Sequence, residues 1–160
     1  MSRGKRPPGR GGRSMHSILV PIDFSDATDS IVAWAAALAE CFGSRLWLLH
    51  VAAPEPEFVG YAVGPDSVRD QRAAELRSEH RELQHRTEAL RERGLEAQAL
   101  LVQGPTVEKI LSEAASLEAD LIVMGSHGRG AIGRALLGSV SEGVLHAARC
   151  PVTILPSRSG

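Results

Sequence analysis

Apolar positions along the chain gather into short unbroken runs, and between them lie longer stretches in which apolar residues recur every three or four positions. The first run, Ser17–Ile22, predicts a strand. Ala27–Phe42 predicts an apolar helix, introduced by the capping candidates Ser25 and Asp26 and stopped by Gly43. Arg45–Val51 reads as the second strand. A loop rich in Pro and Gly, Ala52–Pro65, leads into a charged helix in which Leu76, Leu83 and Leu90 are spaced one heptad apart and which ends at Gly94. Leu95–Val102 is the third strand, Thr106–Leu117 a helix and Asp120–Met124 the fourth strand. A glycine-rich loop, the helix Ser139–Ala148 and the terminal strand Pro151–Leu155 complete the order. Five strands, each a mostly apolar run, separated by four helices, describe an α/β fold: an open parallel sheet covered on both faces, Rossmann-like, with right-handed crossovers. Ligands of such sheets bind beyond the carboxyl ends of the strands, where strand order reverses.

Composition narrows the picture. The 160 residues, 43% hydrophobic and 23% charged, suit one globular domain. Residues 1–14 are nearly all Gly, Pro, Arg, Lys and Ser and cannot bury enough apolar surface to offset their ordering entropy, so a disordered basic tail is expected ahead of a domain spanning 15–160. The tail carries Arg3, Lys5, Arg6, Arg10 and Arg13 without an acid, so a net charge of −1 for the whole leaves the body mildly acidic. Such a tail suits either an acidic or nucleic-acid surface or an upstream start ahead of Met15; a nucleic-acid partner is not the expectation for the domain. Cys41 and Cys150 are too few for a disulfide framework and lack CxxC spacing, so free thiols in a reducing cytoplasm are expected. The longest apolar run, Ile31–Ala39, is too short to cross a membrane, and no export signal is expected, because the apolar run after the tail contains Pro21 and ends at Asp23.

Chemistry concentrates at two strand ends, Pro21-Ile22-Asp23 and Gly125-Ser126-His127-Gly128; if the first and fourth strands are neighbours, the two face one crevice. The second opens a loop with glycines at 125, 128, 130, 133 and 138 ahead of the last helix. Glycines let backbone N–H groups close on a phosphate, and the helix N-terminus adds its dipole. A side chain at Gly128 or Gly138 is expected either to forbid the backbone angles or to fill the anion's space. The competing structural reading has Ser139 capping the helix with Glu142 completing a capping box. Gly128-Arg129-Gly130-Ala131-Ile132-Gly133 fits the GxGxxG pattern, yet no acid for a ribose follows at the end of the next strand, which argues against NAD. Gly133 to Gly138 followed by Ser139 has P-loop spacing with Ser where the lysine belongs, which argues against a Walker-type ATPase. No nucleophile–base–orienter set and no protein metal site emerge; His80 and His85 point to different faces of one helix.

Gly125-x2-Gly128-x9-Gly138-Ser139 resembles the nucleotide loop of the ATP-binding universal stress proteins. Ile18–Ser25, Leu49-His50-Val51, Ala119–Met124 and Cys150-Pro151-Val152 extend the likeness over Ser17–Leu155. The resemblance implies a five-stranded sheet in the order 3-2-1-4-5, with strands one and four side by side. It assigns Asp23 to the ribose or adenine edge, the Val51 backbone to adenine and Gly125 to ribose. Gly128, Gly138, Ser139 and Val140 fall to the phosphates, with His127, Arg129 and Ser141 as further candidates and Pro21 and Met124 completing the set. It implies ATP, with Mg²⁺ carried by the nucleotide, a homodimer through Pro151–Leu155, and a cytoplasmic regulatory module with at most slow hydrolysis. The alternatives are a structural dimer that binds no nucleotide and a slow phosphoryl-transfer enzyme.

Overall fold

The computed structural model describes residues 14–54, 66–127 and 137–156. Its elements are β1 (Ser17–Pro21), α1 (Thr28–Phe42), β2 (Arg45–Ala52), α2 (Asp66–Glu92), β3 (Ala97–Gln103), α3 (Thr106–Ser116), β4 (Leu121–Gly125), α4 (Ser139–Ala147) and β5 (Val152–Leu155). The strands form one five-stranded sheet in the order β3-β2-β1-β4-β5, every pair parallel. Order therefore reverses between β1 and β4, whose carboxyl ends open one crevice.

Side chains alternate across the sheet and build one core on each face. Ile18, Val20, Leu46, Leu48 and Val123 pack with Ile31, Ala35 and Ala39 of α1 and Leu83 and Leu90 of α2. On the other face Leu19, Leu49, Ile122 and Met124 pack with Ile110 of α3 and Val144 of α4. In α2 the heptad leucines turn one way, with Leu83 and Leu90 buried and Leu76 half-buried. The alanines of α1 favour helix and bring it close to the sheet. Gly43 stops α1 in the left-handed region at φ 68°, its N–H bonding the Ala39 carbonyl.

Several expectations are corrected. Ala27, not Ser25 or Asp26, is the N-cap of α1, with no side-chain cap bond. The Asp23 carboxylate instead accepts the Ser25 N–H at 3.1 Å, and the Ser25 carbonyl accepts the Thr28 N–H at 2.9 Å, so the segment is a turn ahead of the helix. Asp120 precedes β4 rather than joining it; its Oδ2 accepts the N–H groups of His16 and Ser17 at 2.7 and 3.0 Å, pinning the start of β1. β3 begins at Ala97 rather than Leu95. Residues 1–13 of the expected tail and 55–65 of the expected loop lie outside the described residues. No helix among the described residues is long and apolar enough to cross a membrane.

Both cysteines are free. Burial pushes the Cys150 thiol up, with Asp120 adding to the rise and a backbone hydrogen bond opposing it, whereas Cys41 is exposed. Thiolate is the reactive form, so alkylation of the folded protein near neutral pH should modify Cys41 well before Cys150. Peptide mapping after a short iodoacetamide pulse checks this; equal rates would contradict the burial.

Candidate functional site

A cavity of ≈ 450 Å³ lies at the carboxyl ends of β1, β2 and β4. Every described member of the expected site lines it: Pro21, Asp23, Val51, Met124, Gly125, His127, Gly138, Ser139, Val140 and Ser141. Gly128 and Arg129 lie outside the described residues. Ile31, Leu49, Ile110 and Met124 give the cavity an apolar floor. Among the described lining residues no lysine or arginine appears, and what these residues offer an anion is backbone N–H groups and the dipole of α4.

The α4 end carries those donors. Gly138 is the N-cap of α4 and no side-chain cap bond forms, so the capping box of the competing reading, Ser139 with Glu142, is absent. Ser139 is the first helical residue, and Glu142 faces His146 across the exposed surface at 3.9 Å. The N–H groups of a helix's first turn have no intrahelical acceptor, and without the box no Glu142 carboxylate competes for them. Two bonds hold this turn against β4: the buried Ser141 hydroxyl donates to the Gly125 carbonyl at 2.8 Å, and the Gly138 N–H donates to the Ser126 carbonyl at 2.8 Å. Gly138 sits at φ −65°, ψ 152°, angles open to any residue, so the expected backbone restriction does not apply there. His127 lies at the same rim, its Nδ1 2.9 Å from the Ser126 hydroxyl.

The β2 end carries a different pair of groups. In β2 the Arg45 N–H donates to the His16 carbonyl and the Leu49 carbonyl accepts the Ile22 N–H, so odd-numbered residues turn their backbone toward β1. Leu46 and Ala52 bond Glu96 and Gly104 on the β3 side, so even-numbered residues turn the other way. The β1–β2 register ends at Pro21↔Leu49. Val51, the next odd residue, therefore directs one donor and one acceptor at the crevice past the end of β1. A hydrogen-bond pair of this kind complements the edge of a planar heterocycle.

His50, Thr106, Ile22, Ile31, Leu49 and Ile110 also line the cavity, and sequence reasoning passed over them. His50 had a visible signal: a polar residue at a core-facing position of an apolar strand, buried to 7% exposure. The apolar residues carried no signal separating cavity floor from core. Among the described residues no cluster of His, Cys, Asp or Glu could hold a metal ion.

Comparison with known proteins agrees with this architecture. A universal stress protein from Thermus aquaticus is 38% identical over 141 residues, covering 87% of this chain and 97% of that protein. The chain spans about half the length of some curated relatives, 48% of one from Mycolicibacterium smegmatis and 49% of one from Mycobacterium bovis, and 98% of one from Bacillus subtilis. Among solved structures, a universal stress protein from Lactobacillus plantarum superposes with a TM-score of 0.80 at 23% identity, covering 90% of this chain and 99% of that one. The universal stress protein from Archaeoglobus fulgidus solved in complex with dAMP gives 0.60 at 22%, covering 88% and 98%. Residues 15–156 match the universal stress protein family, and the chain belongs to it.

Proposed function

We propose that this protein is an ATP-binding regulatory module of the cytoplasm, whose nucleotide state alters its contacts with partners and which hydrolyses ATP at most slowly. The observation that carries the reading is the convergence on one cavity of a first helical turn rich in N–H donors, an outward-facing Val51 backbone and the Asp23 carboxylate. These match the three parts of a nucleotide in kind: phosphates at α4, base edge at β2, ribose hydroxyls at Asp23. The fold neighbour that holds dAMP supports a nucleotide of this class. Mg²⁺ would arrive with the triphosphate, held by phosphate oxygens and water. The test is mass spectrometry of nucleotide released from purified protein, followed by ATP titration with and without Mg²⁺. Absence of both endogenous nucleotide and titratable binding at millimolar ATP would overturn the reading.

The same proposal includes a homodimer through β5, the outer strand beside β4. Pro151 and Leu155 carbonyls accept from Ile122 of β4 and from Ser126 just after it, so the amides of Val152 and Ile154 face the open edge, where a second chain can pair. Lysines at Val152 and Ile154 are a poor probe, because both side chains pack against the core beneath α3 and α4. Ile154→Pro removes one outward N–H while keeping apolar bulk, and proline is tolerated at sheet edges. Light scattering should show the dimer becoming a monomer; an unchanged dimer would place the interface elsewhere.

A further inference from the structure

In a regular parallel ladder, the bond from the Ile22 N–H to the Leu49 carbonyl would be followed by one from the Val51 N–H to the Ile22 carbonyl. Among the described residues that rung is missing, and its acceptor is in use: the Ile22 carbonyl lies 2.9 Å from Nδ1 of His50. A carbonyl oxygen only accepts, so Nδ1 carries the proton and the ring donates. An imidazole N–H from the strand's own side chain has taken the place of the backbone N–H one residue on.

The ring is held in that orientation from two further directions. Phe24 stacks against it, ring centroids 4.4 Å apart and tilted by 39°. Phe24 itself sits at φ 58°, in the left-handed region that non-glycine residues seldom occupy, directly after Asp23. From α2, Glu79 places Oε1 3.6 Å from Nε2, an ion-pair distance for a doubly protonated ring. The other oxygen of Glu79 is buried without a hydrogen-bond partner. His50 thereby ties together the end of β2, the turn that carries Asp23, and α2.

We propose that His50 is a positioning residue of the nucleotide site: by occupying the Ile22 carbonyl, its imidazole keeps the Val51 N–H out of the sheet and available to the base edge. The proposal rests on the nucleotide reading for the identity of the ligand, but the exchange of hydrogen-bond partners at Ile22 stands without it. His50 touches no ligand in this role; it decides which backbone donors the cavity presents.

The test has two independent readouts. In ligand-free protein, NMR hydrogen exchange should show the Val51 amide exchanging much faster than those of Leu48 and Leu49 in the same strand. In a His50→Leu, Glu79→Gln protein, where the donor is gone and no lone carboxylate is left buried, the missing rung can close and the Val51 amide should become protected. ATP affinity should fall about tenfold with the lost base contact, while affinity for tripolyphosphate, which has no base, should hold. His50→Asn, whose side-chain amide can donate to the same carbonyl, should restore both fast exchange and ATP affinity. A protected Val51 amide in the wild-type protein, an amide still fast in the double variant, or equal losses for ATP and tripolyphosphate would overturn the proposal. Failure of the wild-type protein to bind ATP would overturn the nucleotide reading instead, with the exchange pattern still deciding what His50 does at Ile22.

Discussion

A Ser139→Asp protein is expected to bind ATP at least about thirtyfold more weakly than the wild type while melting at the same temperature or slightly higher. Ser139 is exposed and opens α4, so the substitution disturbs no packing, and a carboxylate in a first helical turn is favoured by about 0.3–1 kcal/mol. The same charge placed about 5 Å from a phosphate costs roughly 3 kcal/mol at an effective dielectric constant near 20. Only about 2 kcal/mol of that is needed for a thirtyfold change. Stability and affinity thus move in opposite directions, which separates loss of the anion site from loss of the fold. Adenosine, lacking phosphates, should bind the variant as it binds the wild type, and Ser139→Asn should leave ATP affinity close to its starting value. Calorimetry showing undiminished ATP affinity in Ser139→Asp would remove the triphosphate from α4.

The layout of the sheet was legible because its strands are apolar on both faces and its helices are not, a contrast of period that survives in a single sequence. Element ends were less so. Asp120 reads as the first residue of a strand, yet its carboxylate is used across the sheet on the N–H groups of His16 and Ser17, more than a hundred residues earlier. Ser25 and Asp26 are good capping residues by type, but Asp23 bonds the Ser25 N–H first and the chain makes an extra turn before α1 begins. The competition at Ser139 had the opposite outcome from a capping box, since Gly138 took the N-cap position and Ser141 reached back to the Gly125 carbonyl. Strand ends were enough to mark one cavity, because the carboxyl ends of β1 and β4 meet where strand order reverses; Gly138 lines it without any backbone need for glycine. His50 was legible only as an anomaly, a buried imidazole in an apolar strand. Its partner is a carbonyl on the neighbouring strand, and no local pattern encodes that pairing.

The donors of α4 are only as well placed as the helix itself, and its seat on α3 depends on a glycine. A Cβ built on Gly143 would lie 3.0 Å and 3.2 Å from the two γ-methyls of Val107, tighter than nine in ten real contacts of that kind, so the larger side chain of Gly143→Val should push the helices apart. Overpacking of this sort costs about 1–3 kcal/mol, and valine in a helix interior recovers little of it in propensity over glycine. The first turn of α4 would move with the helix, so ATP affinity should fall alongside stability, by about tenfold for a displacement that costs the phosphates one charge-assisted hydrogen bond. Val107→Ala makes the missing room. Alone it should destabilise by about 1 kcal/mol or more through the lost methyls, but combined with Gly143→Val it should recover much of the loss in both melting temperature and affinity, a coupling that independent sites would not show. Additive losses in the double-mutant cycle would mean that α4 does not rest on Val107 through Gly143. Recovery of stability without recovery of ATP affinity would mean that the helix seat and the phosphate donors are not linked.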